Sequence, residues 1–363
     1  MESRPLKILQ VITDTDLRGA QVFARDLGEE LGRRGHDIAT VALASGSNSR
    51  RLDLPHLGPS RLHPRSLVAL RGLMRDADIT VAHGSTTLTA CAAVGAGTQR
   101  PFVYRQISDS LFWASTPSRR FRVRTALKRA SGVVALWEGA AKTLTERFQV
   151  APHQIHIVPN GVSSARFVPA STCIRQRARE ALSLNPDAPV ALSLSALVPE
   201  KGVDVAVAAI GDLDHAHLLV AGEGPEEAAL RSQAAVAAPG RVHFLGSVTD
   251  PLPLFAASDV VVLPSRGGDS MPATLIEAGL CGLPTISTPV AAIPEIVLNQ
   301  RTGILVPMGD VAETSNALRE AFGRGPELGE AARTHCLAHF DIAVVAQQWE
   351  EALLSSIPAR AGV

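Results

Sequence analysis

The stretch DVVVLPSRGGDSMPATLIEAGLCGLP, from Asp259 to Pro284, carries the reading of this chain. It opens on an apolar, β-branched run of strand length. Pro264, Gly267 and Gly268 then break the pattern, and an apolar-periodic segment follows before Gly282 and Pro284. The order is strand, glycine-rich loop, helix. Ser270 stands where an N-cap is expected, and Pro272 suits a first turn, where its missing N–H leaves no unsatisfied donor. The free amides of Met271, Ala273 and Thr274 then carry the positive end of a helix dipole, a site for an anion and above all for a phosphate. Glu277 falls on the same face as Ala273, and a carboxylate there can accept hydrogen bonds from two vicinal ribose hydroxyls. Taken alone, the stretch fits a structural glycine-rich turn with an exposed glutamate equally well.

Upstream and downstream the same alternation recurs. The runs VALSLSAL (Val190 to Leu197), HLLVAGEG (His217 to Gly224), RVHFLGSV (Arg241 to Val248) and PTISTP (Pro284 to Pro289) are separated by Ala-rich, helix-period segments. An earlier series contains KILQVI (Lys7 to Ile12), DIATVAL (Asp37 to Leu43), ITVA (Ile79 to Ala82), PFVYR (Pro101 to Arg105) and GVVALW (Gly132 to Trp137). Such βαβ series predict an α/β fold of two Rossmann-like, doubly wound parallel-sheet domains. The expected division is 1–167 and 168–340, with part of the stretch from Ser163 to Pro189 connecting them and a C-terminal helix over 341–363 crossing back to the first domain. Ligands are expected in a cleft between the carboxyl ends of the two sheets.

Composition narrows the function. In 363 residues, 35 Lys+Arg balance 35 Asp+Glu, which argues against a nucleic-acid binder with a basic face. No run approaches the roughly 18 consecutive apolar residues of a membrane span. Cys91, Cys173, Cys281 and Cys336 stand singly, as reduced thiols of a cytoplasmic protein do, and form no metal-ribbon or redox pair. The dinucleotide fingerprint is incomplete, because Glu227 stands where Gly222-Glu-Gly224 would need a third glycine. The acidic triplets Asp14-Thr-Asp16, Asp76-Ala-Asp78 and Asp212-Leu-Asp214 come without a third ligand, so no metal is expected. Only the first, following the first strand, is placed to face the cleft. Lys201, in Leu197-Val-Pro-Glu-Lys201-Gly202 after the first strand of the second domain, offers a point charge to a diphosphate. Arg119 to Arg129 places Val123, Leu127 and Ala130 on one helical stripe flanked by six cations. It reads either as a packing helix with a basic solvated side or as a weak peripheral contact with the inner face of an anionic membrane.

Together these segments resemble the retaining glycosyltransferases of the GT-B fold, in particular glycosyltransferase family four. The resemblance runs along nearly the whole chain. It takes in Gly19-Ala20, Arg34-Gly35-His36-Asp37, Pro159-Asn160-Gly161-Val162 and Leu197 to Gly202. It goes on through Val220-Ala-Gly-Glu-Gly-Pro225, Phe244-Leu-Gly246, Asp259 to Ser265, Glu277-Ala278 and Cys281-Gly-Leu-Pro284, then Pro294-Glu295-Ile296 and Thr302-Gly303.

The resemblance implies sugar transfer, with retention, from a nucleotide-diphosphate sugar such as a UDP-, GDP- or ADP-sugar, with no other cofactor. The acceptor is a lipid, glycan or small metabolite held by the N-terminal half. The donor site it implies comprises Lys201, Gly222, Gly246, Val248, Gly268, Ser270, Met271, Ala273, Thr274 and Glu277, with the base near Gly246 and Val248. Gly19, Ala20, His83, Gln106, Ser108 and Asp109 fall on the acceptor side. Three positions depart from the family. Asp269 stands where the first of two spaced carboxylates is usually Glu. Ala196 stands where an Arg normally joins Lys201 on the diphosphate, which leaves Arg266 and Arg105 as candidate substitutes. The strand ending at Arg105 lacks the His that many relatives carry near the reacting sugar. Those losses motivate an alternative, a catalytically silent GT-B binding module. With chemistry intact, Asp269, Lys201 and Arg105 are the expected catalytic groups.

Overall fold

The structure of the protein is a computed structural model that describes residues 4–47, 51–95, 98, 100–107, 116–268 and 270–358; the expected site residues Ser108, Asp109 and Asp269 lie outside the described residues. The chain divides into two units, Met1–Gly161 with Ile342–Val363, and Val162–Asp341.

In the first unit, β1 (Lys7–Asp14), β2 (Asp37–Ala44), β3 (Ile79–His83), β4 (Phe102–Arg105), β5 (Gly132–Ala135) and β6 (Ile155–Ile157) form a parallel sheet in the order β2-β1-β3-β4-β5-β6. Lys7 is in register with Asp37, and Ile8 with Ile79. Successive side chains point to opposite faces, so each strand feeds two cores. Leu9, Val11 and Phe102 pack on one side with Leu70 and Met74 of α2 (Pro64–Asp76) and Leu88 of α3 (Ser85–Gly95). Ile8, Val81, Val103 and Val134 pack on the other with Phe23 and Leu27 of α1 (Gly19–Arg33). Each large apolar side chain so enclosed is worth about 1.5–3 kcal/mol. Helices α4 (Pro117–Leu127) and α5 (Glu138–Phe148) complete the N-terminal part of this unit.

In the second unit, β7 (Val190–Leu194), β8 (His217–Ala221), β9 (Val242–Gly246), β10 (Val260–Leu263), β11 (Thr285–Ser287) and β12 (Gly303–Leu305) are again parallel, in the order β12-β11-β10-β7-β8-β9. The helices here are α6 (Thr172–Ala181), α7 (Val203–Gly211), α8 (Glu227–Ala237), α9 (Leu252–Ala257), α10 (Ala273–Leu280), α11 (Ile293–Ile296) and α12 (Val311–His339). The last helix of the chain, α13 (Ile342–Ser356), belongs to the first unit, where Val345, Trp349 and Leu353 join the core around Phe23.

The units meet in sequence earlier than the expected 167/168. The Val162 N–H donates to the Phe340 carbonyl at 2.9 Å, the Ser164 hydroxyl bonds Asp341, and Phe167 sits edge-on against Phe255 at 6.0 Å, all inside the second unit. The stretch from Ser163 to Pro189 is likewise part of that unit rather than a connection. Ser171 caps α6, and Arg179 is buried, donating to the carbonyls of Ala257, Pro186 and Ala188 and to Asp259. Its polar composition hid this, because the helix docks through arginines instead of an apolar stripe. Among the described residues no helix is long and apolar enough to cross a membrane.

Candidate functional site

In the second sheet the strand order reverses between β7 and β10: β8 and β9 follow on one side, β11 and β12 on the other. Loops leaving the carboxyl ends of β7 and β10 therefore flank a crevice, the place where such sheets bind ligands. The β7 loop carries Lys201 and the β10 loop runs into α10, so the topology collects the residues the sequence singled out.

The two loops are held edge to edge. The Arg266 N–H donates to the Glu200 carbonyl at 2.7 Å. Gly202 has φ +67°, and a Cβ there would lie 2.1 Å from the Pro264 carbonyl oxygen, so only glycine allows this approach. On the other side, Gly222 (φ +140°) lies against the β7 loop, where a Cβ would come within 1.8 Å of the Ser195 carbonyl oxygen. The Gly222 N–H donates to the Gly246 carbonyl at 2.8 Å, which draws in the half-buried Val248 segment after β9. Three strand ends and Lys201 are thus fixed around the start of α10.

α10 begins at Ala273, capped by the backbone of Pro272 with no side-chain bond. Ser270 is not the cap; its carbonyl instead accepts the Ala292 N–H at 3.0 Å. The leading amides of Ala273 and Thr274 have no intrahelical acceptor and stand beside the end of β7, where the Thr274 hydroxyl reaches the Leu194 carbonyl at 3.5 Å. Met271 is buried, Gly268 takes φ +72°, and Glu277, half-buried, lies one turn after Ala273. Its negative charge adds to burial in pushing the Cys281 thiol up to about 12, so that cysteine is a neutral packing group.

Arg266, a candidate for the missing cation, is paired within the second unit. Its guanidinium forks onto Asp204 at 2.7 and 2.6 Å and also bonds the Pro199 carbonyl. The pair lowers the Asp204 carboxyl and raises Arg266, and it ties the two loops together at their outer side. Asp204 has no sequence signal for this role, since its partner is on a different loop. Ala196 is exposed, with no cation of its own.

In the first sheet the reversal lies between β1 and β3, flanked by the loop to Gly19 and Ala20 and by the end of β3 at His83. The acids here are engaged. Asp14, buried, meets Arg18 and Arg61 at 2.7 Å each, and Arg18 also reaches Asp16 at 3.0 Å. Among the described residues no group of three or more His, Cys, Asp or Glu side chains is arranged to hold a metal.

His83 faces inward. Its Nε2 bonds Gln10 at 3.0 Å, the ring packs on Phe23 and Trp349, and burial, reinforced by Arg105, keeps it neutral well below the ordinary histidine range. Arg105, 1% exposed, also points inward rather than toward the open edge of the sheet. Its Cζ stacks 3.7 Å from the Phe23 centroid, Nη2 bonds Asn160, and burial lowers it to about 9. Gln106 is buried beside it, its N–H on the Val134 carbonyl at 2.9 Å. The structure therefore gathers Lys201, Gly222, Gly246, Gly268 and the α10 start, and sets His83 and Arg105 apart as interior groups of the first unit. Asn160 stands in the motif Pro159–Val162, but nothing in its spacing names Arg105 as its partner.

Comparison with known proteins agrees with this geometry. The family described as Glycosyltransferase Family 4 matches residues 17–166, and that described as Glycosyl transferases group 1 matches residues 188–323. A GDP-mannose-dependent monoacylated alpha-(1-6)-phosphatidylinositol monomannoside mannosyltransferase of Corynebacterium glutamicum is 28% identical over 258 residues, 67% of each chain. A D-inositol 3-phosphate glycosyltransferase of Mycobacterium marinum is 29% identical over 233 residues, 60% of this chain but only 49% of that protein. The chain thus spans about half the length of that relative. Among solved structures, Anabaena HepE in complex with UDP-glucose superposes with a TM-score of 0.84 at 20% identity, covering 96% of this chain and 100% of that one. Sucrose-phosphate synthase from Thermosynechococcus elongatus does so at 0.78 and 19%, over 95% and 97%. With two parallel six-stranded sheets, this is the GT-B fold.

Proposed function

The chain belongs to the glycosyltransferases of family four, and from that premise we propose that it transfers a sugar, with retention and without a metal, from a nucleotide-diphosphate sugar to an acceptor hydroxyl. The observation that carries this is the convergence of Lys201, three glycine-lined strand ends and the uncapped start of α10 at one topological switch point. Glu277 clasps the ribose hydroxyls, and Asp269 addresses the donor sugar. The leading amides of α10, with a dipole worth about 0.3–1 kcal/mol per charge and up to ~2 when partly buried, stabilise the departing diphosphate beside Lys201.

In the reaction the anomeric carbon–oxygen bond to the diphosphate breaks. The acceptor oxygen bonds the same carbon from the same face, and its proton passes to the leaving phosphate oxygen. No protein nucleophile is needed; the protein positions the partners and stabilises charge. Metal independence fits the commitment of Asp14 and Asp16 to arginines. The free thiols fit a reducing, cytoplasmic setting. Gly19 and Ala20 mark the acceptor half, and Arg119–Arg129 its weak contact with a membrane.

Calorimetric titration with UDP, GDP and ADP, followed by assay of donor hydrolysis, tests the reading. One diphosphate should bind, Lys201→Ala should weaken it at least about tenfold, and the matching sugar donor should be slowly hydrolysed. Ala196→Arg should tighten binding. A protein that binds no nucleoside diphosphate sinks the proposal, and binding without turnover of any donor leaves the silent module in its place.

A further inference from the structure

Inside the second unit, α6 and α9 enclose a groove of about 630 Å³ that the transfer reading does not use. That volume is of ligand size, within about 300–1,000 Å³. The groove follows from the way α6 docks. Arg175 and Arg179, one turn apart, hold the helix to Asp259 and to nearby carbonyls. The apolar stripe Ile174, Ala178 and Ala181 falls on a different face of the helix and lines the groove instead. Ala178 is buried there with Phe255, whereas Ile174 and Val168 stay 55% and 48% exposed. Leu252 lines the groove from α9, and Cys281 and Leu283 line it from the turn that ends α10.

Polar groups in the groove are already satisfied. The Ser258 hydroxyl donates to the Leu254 carbonyl at 2.7 Å, and the Ser258 carbonyl accepts from Arg175 at 2.8 Å. Among the described residues, no lining side chain holds a buried polar atom without a partner. A sugar or a nucleotide would lose hydrogen bonds to water here and regain few. Charge is one-sided: Arg166, Arg175 and Arg177 line the groove against Asp250 alone. Asp250 takes Arg166 at 3.3 Å and Asp259 takes Arg175. Arg177, exposed and one turn from Ile174, makes no ion pair among the described residues.

We propose that this groove binds a single-chain amphipathic anion, a fatty-acid carboxylate, with its alkyl chain along Phe255, Ala178 and Leu252 and its carboxylate on Arg177. An alkyl chain asks for no hydrogen bond from the groove, and its single charge meets a cation that no acid has taken. The inference goes beyond the transfer reading and stands separately from it, because none of these residues is assigned to the donor or the acceptor. The site does touch α10. The Leu283 N–H donates to the Ala278 carbonyl at 2.9 Å, so a chain bound in the groove rests on the turn that closes that helix.

Calorimetric titration of the full chain with monomeric decanoate tests it. Decanoate should bind saturably, one per chain, and from hexanoate to decanoate the affinity should rise about three- to fourfold per methylene. Decanol, with the same chain and no charge, should bind about two- to fivefold more weakly, and Arg177→Gln should erase that preference. Ala181→Trp, at an exposed position lining the groove, fills the space without changing charge and should abolish binding. Ile174→Ser, equally exposed, removes apolar wall without adding bulk and should weaken binding at least about threefold. The proposal falls if no saturable binding is seen, if both of these variants bind like the parent, or if Arg177→Gln still prefers decanoate. Competition between decanoate and UDP would put the chain in the donor site and overturn it. A parent dimer that Ala181→Trp turns into a monomer would make the groove an interface between copies and overturn it as well. UDP titration of the same samples without decanoate reports on the donor site independently, so the two proposals cannot fail for the same reason.

Discussion

Gly202→Ala is the substitution whose outcome the structure sets most narrowly. Two costs arise. The residue sits at φ +67°, where an L side chain pays about 1–2 kcal/mol. The new methyl would lie 2.1 Å from the Pro264 carbonyl oxygen, against ordinary contact from 3.4 Å, so the β7 and β10 loops must part by more than an ångström. Overpacking of that kind costs about 1–3 kcal/mol, for a total of about 2–5 kcal/mol. Gly240→Ala separates the terms: φ is +73° there but nothing lies within 4 Å, so only the backbone cost of about 1–2 kcal/mol applies. For a unit of this size each kcal/mol moves the melting temperature by about 2–4 °C. Thermal melts should therefore place Gly202→Ala several degrees below Gly240→Ala. Because the displaced loop carries Lys201, nucleoside diphosphate affinity should also drop by about tenfold or more in Gly202→Ala alone. Equal melting and equal affinity for the two variants would refute the contact between the loops, and with it the proposed donor site.

Stability should also depend on pH through imidazoles that are buried, as His83 is, or half-buried, as His217 and His243 are. His83 is held neutral by burial and then by Arg105; His217 and His243, 3.0 Å apart, are lowered by burial first, with His217 also feeling His243, Arg241 and Arg179. Folded values below the unfolded one of about 6.5 mean that the unfolded chain takes up more protons, so stability is complete above that pH and declines as pH falls below it. Denaturant melts between neutral pH and pH ~5 should show this slope, and His217→Asn with His243→Asn should flatten it for the second unit; an unchanged slope refutes the assignment. Arg179→Ala should cost about 1–3 kcal/mol, because it leaves the carbonyls of Ala257, Pro186 and Ala188 without the donor that the 2%-exposed guanidinium supplies, while Asp259 keeps Arg175. Loss of under 1 kcal/mol in a urea melt would contradict the clamp.

The second unit was legible because its signals are local. A β-branched run, two glycines, a proline and an apolar helix period follow one another between Val260 and Leu280, and each is a short-range preference of the backbone. The helix start was placed too early for a local reason as well: Ser270 is a better capping residue than Pro272, yet its carbonyl is drawn to Ala292 by the loop around it. The contacts that Arg266 and Arg105 make were not legible, for a long-range reason. Their partners, Asp204, Phe23 and Asn160, are remote in sequence and meet them only when the sheets are assembled.

Composition and periodicity thus determined the two βαβ series, the glycine loops and the helix that offers its amides, because torsional preference and the alternation of apolar residues act over a few neighbours. Strand order was decided by the tertiary structure alone. Packing β10 beside β7 rather than β9 creates the reversal that brings Lys201 to α10. In the first unit, packing against Phe23 and Trp349 turned His83 and Arg105 into interior groups and left Phe121 in the open, since burial is a property of what surrounds a residue and not of the residue itself.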